Sequence, residues 1–377
     1  MSLSTSFKGR RVLVTGHTGF KGSWLALWLR DLGANVLGFS LPPPTSPSLF
    51  ELARLDKTLM HVEGDIRDLE ALRRAFVRFE PEVVFHLAAQ PLVRRSYREP
   101  KETFDTNVGG TVNVLEAVRG CASVAAAVVV TSDKCYENRE WLYGYREDDP
   151  MGGHDPYSAS KGATELVVAA YRRSFFAEGA QGRLLGLASA RAGNVIGGGD
   201  FAEDRIIPDA VRAAQARAPL EVRNPESTRP WQHVLDPLGG YLHLAARLLA
   251  EPERYSEAFN FGPDITGVGT VRELVTRFYD ELGHGKLVDV SARQKGEAHE
   301  ARLLRLSCDK AHTRLGWKPA FVTHEAISRA AAWYRTVVFE GGDARAACRR
   351  DIRAYEKAPV PPRVVASIRG RKVRKSA

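Results

Sequence analysis

A chain of 377 residues, 44% hydrophobic and 26% charged, fits one large or two modest globular domains with ample core, and no apolar run is long enough to cross a membrane. The start, Met1 to Phe7, lacks the charged-then-apolar pattern of a signal peptide, and the four cysteines (Cys121, Cys135, Cys308, Cys348) form no CxxC pair, so a reducing cytoplasm is expected and neither a disulfide framework nor a metal site. The net charge of +9 comes partly from Arg363 to Lys375, which reads as a solvated, frayed tail; no folded basic face with stacking aromatics argues for nucleic acid, and a basic surface suits an anionic small substrate.

The first half alternates strand and helix. Arg11–Thr15 reads as a buried strand that stops at Gly16-His17-Thr18-Gly19-Phe20-Lys21-Gly22, and Gly19–Leu32 as a helix closed by Gly33. Glycines let a backbone turn tightly and let a pyrophosphate come close, and a helix N-terminus offers free N–H groups and a positive dipole end. The spacing is GxxGxxG rather than GxGxxG, and alone it also describes a packed turn. Asn35–Ser40 is the next strand, followed by a proline-rich loop, Leu41 to Pro47. Thr58–Glu63 is a short strand ending at Gly64-Asp65, Leu69–Phe79 a helix, and Glu82–Leu87 a strand running into Ala88-Ala89-Gln90. Glu99–Arg119 reads as one long helix holding Asn107, Val124–Thr131 as an apolar strand, His154–Phe176 as a second long helix, and Leu184–Ala190 as a strand leading to Asn194.

Uniformly apolar strands between helices mean a parallel sheet covered on both faces, with ligands at the carboxyl ends of its strands. The expected fold is therefore α/β, a Rossmann-type doubly wound parallel sheet with a smaller, interleaved α/β substrate domain. Its dinucleotide domain spans 7–196, with 235–265 returning to it; 197–234 and 266–340 form the substrate domain, and 341–377 a C-terminal extension. In that second half, the expected helices are Arg205–Ala216, Asp236–Ala250, Thr270–Leu282, Cys308–Leu315 and His324–Phe339. The strands are Leu220–Arg223, Ala258–Phe261 and Leu287–Val290.

Tyr157-Ser-Ala-Ser-Lys161 puts a phenol and an ammonium on one face of the second long helix. A cation beside a phenol lowers its pKa, and a tyrosinate can take a proton from a sugar hydroxyl while hydride leaves. Tyr and Lys at this spacing also occur on solvated faces. The glycine turn, the Ala-Ala-Gln strand end and the Thr131-Ser132 pair favour the chemical reading.

Together these segments, with Thr131-Ser-Asp-Lys-Cys-Tyr-Glu-Asn138, Trp141 to Glu147 and Asp155-Pro-Tyr-Ser-Ala-Ser-Lys161, resemble an extended short-chain dehydrogenase/reductase of the NAD-dependent epimerase/dehydratase family. The likeness runs from about Phe7 to Phe339 and is nearest to the CDP-glucose 4,6-dehydratases. It implies NAD as cofactor, a nucleotide-sugar substrate (CDP-glucose), and a homodimer or dimer of dimers built on the two long helices. Tyr157 and Lys161 would oxidise carbon 4, Asp133 would serve as general acid and Lys134 as second base, where related enzymes carry a glutamate. Thr131 and Ser132 would hydrogen-bond the oxygen at carbon 4. Gly16, His17, Gly19, Phe20 and Gly22 would cradle the pyrophosphate, and Asp65 and Ile66 would flank the adenine, although Asp65 also fits a turn. Leu87, Ala88 and Ala89 would lie under the cofactor, with Asn107 beside them. Gln90, Asn194, Arg229 and His299 or Arg302 would contact the substrate; Trp231 reads as core. No metal is implied.

One departure is visible: the second strand ends at Phe39-Ser40, with no acid for an adenosine ribose and no Arg or Lys for an extra phosphate. Dehydratases using another nucleotide, 4-epimerases, and a cofactor-sensing regulator remain as alternatives. Asp133-Lys134 argues against an epimerase, and Tyr157, Lys161 and Asp133 together argue against a regulator.

Overall fold

The computed structural model describes residues 2–177, 179–180, 182–263, 268–293 and 304–358. Strands β1 (Arg11–Thr15), β2 (Asn35–Ser40), β3 (Met60–Glu63), β4 (Val83–His86), β5 (Ala126–Val130) and β6 (Gly186–Ala192) join the strand Ala258–Phe261 in one seven-stranded sheet. Every pairing in it is parallel. From edge to edge the order is Ala258–Phe261, β6, β5, β4, β1, β2, β3. The chain winds from β1 outward to β3, then crosses back to β4 and winds the other way. The carboxyl ends of β1 and β4 therefore open a crevice at the switch point.

Alternation along the strands feeds two cores. Val12 and Val14 pack with Trp24, Trp28 and Leu244 on one face, while Leu13 packs with Leu72, Val114 and Val168 on the other. Burial on both faces is what the unbroken apolar strands require. Helix Leu235–Ala250 covers the first core and delivers the chain to Ala258–Phe261, so this late segment completes a sheet begun at Arg11.

Most expected elements appear, with ends moved by a residue or two. The expected helix Glu99–Arg119 is instead broken into Pro100–Phe104, a π-helical turn Asp105–Gly109, and Gly110–Arg119, preceded by a separate helix Val93–Arg98. The wider turn sets Asn107 inward, where it holds Gln90 and Ser160. Cys308–Leu315 is largely a π-helical turn, Ala311–Leu315. Beyond the sheet, the described residues form three two-stranded ribbons, of which Thr228–Pro230 with Val268–Thr270 is antiparallel. The C-terminal extension holds an unforeseen helix, Ala344–Lys357, which clamps the first half. Arg349 pairs with Asp31 at 2.6 Å, and Trp28 Nε1 donates to Glu356 at 2.8 Å. The basic stretch Arg363 to Lys375 lies outside the described residues.

Candidate active site

The glycine turn is shaped by close approach. Gly16 has φ +75, and a Cβ there would stand 2.7 Å from the Ala88 nitrogen; a Cβ on Gly22 would stand 2.1 Å from the Gly16 carbonyl oxygen. Only glycine fits either place. The helix Phe20–Asp31 that follows has Gly19 as its N-cap with no side-chain cap, so its first N–H groups stay available to an anion. His17 is buried, hydrogen-bonded to His61 at 2.8 Å, and packed against Gly38 of β2. Burial and the His61 neighbour hold its pKa down at about 3, so it stays neutral. At the end of β2, Ser40 pairs with the Thr18 hydroxyl at 2.8 Å. Ile66 is buried, and the Asp65 carboxylate is taken up by Arg67 at 2.6 Å and by the Arg67 backbone N–H at 2.8 Å. Asp65 thus makes local contacts of the kind a turn residue makes.

Next to this turn is a cavity of about 270 Å³, lined among others by Leu87, Ala89, Thr131, Ser132, Asp133, Lys134, Tyr157, Lys161 and Asn194. Two neighbouring elements present the reactive groups. Helix Pro156–Tyr171 begins with proline at its first position and is capped by Asp155, which accepts from the Ser158 N–H at 2.9 Å. That cap fixes the turn carrying Tyr157 and, four residues on, Lys161. The second element is the short turn Asp133–Cys135 after β5, where Ser132 Oγ donates to Asp133 at 2.9 Å and accepts from the Lys134 N–H at 3.2 Å.

Burial dominates the electrostatics. It raises the Asp133 pKa, against the opposing pull of Lys134, Ser132 and Arg229. It pushes Tyr157 up to about 12, a Ser132 hydrogen bond pulling the other way. This differs from the expectation that Lys161 lowers the phenol. Its Nζ lies 6.0 Å from the ring centroid, and Lys161 is itself pulled down by burial to about 8. Desolvation outweighs the charge–phenol attraction here.

Gln90 and Asn107 stand behind the cavity wall. Gln90 spends its amide on Leu92 and Thr103, and Asn107 spends its own on Gln90 and Ser160. Arg229, on the strand Thr228–Pro230, is near enough for its charge to act on Asp133. Trp231 belongs to the core and also lines the cavity. His299 and Arg302 lie outside the described residues. Sequence reasoning missed three charged groups. Lys21 lines the cavity and donates to the Tyr241 hydroxyl at 2.8 Å, its pKa brought to about 7 by burial and then by Arg205 and Lys161. Arg205 lines the cavity at the N-cap of helix Ile206–Gln215, held by Asp200 at 2.9 Å. Glu165 lies behind Thr131. Lys21 was legible as a charge on an otherwise apolar helix face.

The arrangement can remove a proton at one place, donate one at another, and seat an anion between helix N-termini. Comparison with known proteins agrees with this. A family profile described as GDP-mannose 4,6 dehydratase matches residues 13–330. A CDP-glucose 4,6-dehydratase of Salmonella typhimurium is 50% identical over 355 residues, covering 93% of this chain and 98% of that one. Among solved structures, DesIV of Streptomyces venezuelae, a dTDP-glucose 4,6-dehydratase with NAD bound, is 27% identical with a TM-score of 0.71, covering 86% of this chain and 97% of that one. The epimerase Mth375 of Methanothermobacter thermautotrophicus shares the fold at 24% identity and a TM-score of 0.74, covering 90% of this chain and 96% of that one. With the profile spanning most of its length, this chain belongs to the GDP-mannose 4,6 dehydratase family, among the extended short-chain dehydrogenase/reductases.

Proposed function

We propose that this protein is a CDP-glucose 4,6-dehydratase, a hydro-lyase that converts CDP-D-glucose to CDP-4-keto-6-deoxy-D-glucose and water with NAD. The observation that carries the reading is a second acid–base pair, Asp133 and Lys134, opening into the same cavity as Tyr157 and Lys161. A 4-epimerase needs only one base. The 50% identity to the Salmonella typhimurium enzyme across nearly the whole chain supports the CDP-linked substrate.

The residues fit the cofactor: the Gly16–Gly22 cradle has the close backbone approach a pyrophosphate needs, and the uncapped helix behind it has the free N–H groups. Ser40 supplies no positive charge for an additional phosphate, which favours NAD over its phosphorylated form. When bound, NAD takes up the hydride from carbon 4, returns it to carbon 6, and brings a positive ring near Tyr157.

The chain's own residues move the protons. Tyr157, as phenolate, takes the proton of the hydroxyl on carbon 4 as that carbon becomes a ketone. The ketone acidifies the hydrogen on carbon 5, and Lys134 removes it. Asp133, whose pKa burial raises, gives its proton to the hydroxyl on carbon 6, and water leaves. Lys134 then returns a proton to carbon 5. The proton gained by Tyr157 and the one spent by Asp133 balance over the cycle. Arg205, Asn194 and the start of helix Ile206–Gln215 line the cavity and Arg229 acts on Asp133 by its charge, which supports them as the groups that hold the diphosphate and nucleoside.

Assembly follows as part of the reading. Tyr97, Phe104 and Leu166 are exposed on the helices around Tyr157, which supports a homodimer through them, testable by sedimentation. A reducing cytoplasm suits the four free cysteines.

The test is incubation with NAD and CDP-, dTDP-, UDP- or GDP-linked glucose, following the 4-keto-6-deoxy product. Turnover is expected with CDP-glucose. No product from it, or a 4-epimer in its place, overturns the proposal. Lys134→Ala is expected to keep hydride transfer to NAD and to lose water elimination; fast elimination in that variant removes Lys134 as the base.

A further inference from the structure

Glu165 is a buried charge that neither half of the reaction uses. It stands one helical turn beyond Lys161, so Tyr157, Lys161 and Glu165 follow one another at four-residue spacing on one face of helix Pro156–Tyr171. Its carboxylate is fully engaged. Thr131 Oγ1 donates to Oε1 at 2.5 Å, and Ser189 Oγ and Arg191 Nη2 donate to Oε2 at 2.7 and 2.8 Å. Arg191 continues to the Tyr136 hydroxyl at 2.7 Å and the Glu147 carbonyl at 2.9 Å, so the cluster ties the helix to β5, β6 and the segment after Asp133. Burial alone favours a neutral acid, but Arg191 and the three donors outweigh it and hold Glu165 below the usual carboxylate range.

Two consequences reach the cavity. Thr131 has one hydroxyl proton, and it is spent on Glu165. The Thr131 oxygen therefore meets the cavity only as an acceptor, and since the Ser132 proton is likewise spent on Asp133, the donor to a ketone oxygen at carbon 4 has to be Tyr157. The second consequence concerns Lys161. It is faced by Tyr157 and Glu165 on its own helix, by Cys135 on the turn after β5, by Lys21 on the nucleotide helix, and by His86 at the end of β4. Glu165 is faced in turn by Arg191 on β6, Arg172 at the end of its own helix, and Cys135. Burial keeps Cys135 a neutral thiol, which leaves Glu165 as the negative charge among these groups that opposes the desolvation of Lys161.

We propose that Glu165 is a positioning residue for the oxidation step, fixing Thr131 as an acceptor toward the sugar and supplying the countercharge that keeps Lys161 an ammonium beside Tyr157. The proposal rests on the reading of Tyr157 and Lys161 as the oxidising pair. That reading fails separately, if Tyr157→Phe retains normal turnover.

The test is the pH profile of kcat/KM in Glu165→Gln, which keeps the shape and an oxygen for Thr131 but removes the charge. Loss of the Lys161 proton sets the alkaline limb, and the limb is expected to move to lower pH by about one pH unit. A lower rate with the limb unmoved shows a structural role alone and overturns the proposal. Glu165→Asp is expected to bring the limb part of the way back. Because Gln leaves Arg191 buried without its countercharge, folding is checked by melting, and Glu165→Gln/Arg191→Gln removes both charges together. The limb is expected to stay lowered in that pair variant; a limb restored to its wild-type place means the ion pair acts as a neutral unit and overturns the proposal.

Discussion

Tyr157 and Lys161 sit on a 16-residue helix capped by Asp155, whereas Asp133 and Lys134 sit on a three-residue turn tied by Ser132. Burial acts on Asp133 and on Tyr157 in the same sense, favouring neutral forms, but with opposite chemical results. A neutral Asp133 is the working form of an acid, so burial arms it. A protonated Tyr157, pushed up to about 12, is the resting form of a base, so burial restrains it until positive charge gathers nearby. One desolvated cavity thus readies the acid of the elimination and holds back the base of the oxidation. That ordering suits a reaction in which oxidation has to come first and only with a full site.

The strongest way to break this contrast is to remove one member of each pair. Tyr157→Phe is expected to lower turnover roughly 10³–10⁴-fold with no reduced cofactor formed on mixing. Asp133→Asn is expected to cost roughly 10²–10³-fold while reduced cofactor still forms and carbon 5 still exchanges its hydrogen with solvent. Stopped-flow absorbance and deuterium incorporation separate the two. If Asp133→Asn also abolishes cofactor reduction, the pairs are not independent.

The pairs were unequally legible in the sequence. The four-residue spacing of Tyr157 and Lys161 announces a shared helix face to anyone who knows the period, and the strands announced the sheet by their unbroken apolar character. Asp133 and Lys134 carry no periodicity; they were found by likeness to a family motif, because a short turn has no pattern of its own. How far burial raises the Tyr157 pKa was hidden for a related reason. Sequence shows which charge is near, but not how much water is excluded, and here exclusion is the larger effect. Lys21, Arg205 and Glu165 were passed over because their roles depend on distant partners: Tyr241, Asp200 and Arg191. The break in the expected helix Glu99–Arg119 likewise follows from the tertiary demand that Asn107 reach Gln90 and Ser160. Helix Ala344–Lys357 was hidden beside a tail whose charge drew the attention.

A finer probe acts on the turn without touching either pair. A Cβ added at Gly193 would lie 3.0 Å from Asp133 Oδ2 and 3.5 Å from its Cγ, so the carboxyl must shift by a few tenths of an ångström. Misplacement on that scale erodes proton transfer. Gly193→Ala is expected to slow elimination about tenfold while leaving the burst of cofactor reduction as it was. Equal slowing of both steps means the turn and the helix respond as one body.

The smallest effect on rate is expected at a buried acid outside both pairs, which separates burial as a catalytic device from burial as a plain cost. Asp236 opens helix Leu235–Ala250; its Oδ1 accepts from the Ala320 N–H at 2.6 Å, while Oδ2 has no hydrogen-bond partner among the described residues. Burial pushes its pKa up to about 7, against those backbone donors. A folded-state pKa above the unfolded value means the folded chain binds the extra proton. Stability from this group is therefore full below the ordinary aspartate pKa and is lost as pH rises through about 7. Asp236→Asn keeps the Oδ1 acceptor and cannot ionise. Its melting temperature relative to wild type is expected to rise by about 3 °C on going from mildly acidic to mildly alkaline buffer, with kcat unchanged. A difference that does not vary with pH shows that Asp236 stays protonated throughout. A fall in kcat at constant stability would instead extend the electrostatics of the cavity as far as this helix, and the contrast between the two pairs would have to be redrawn around a third ionisable group.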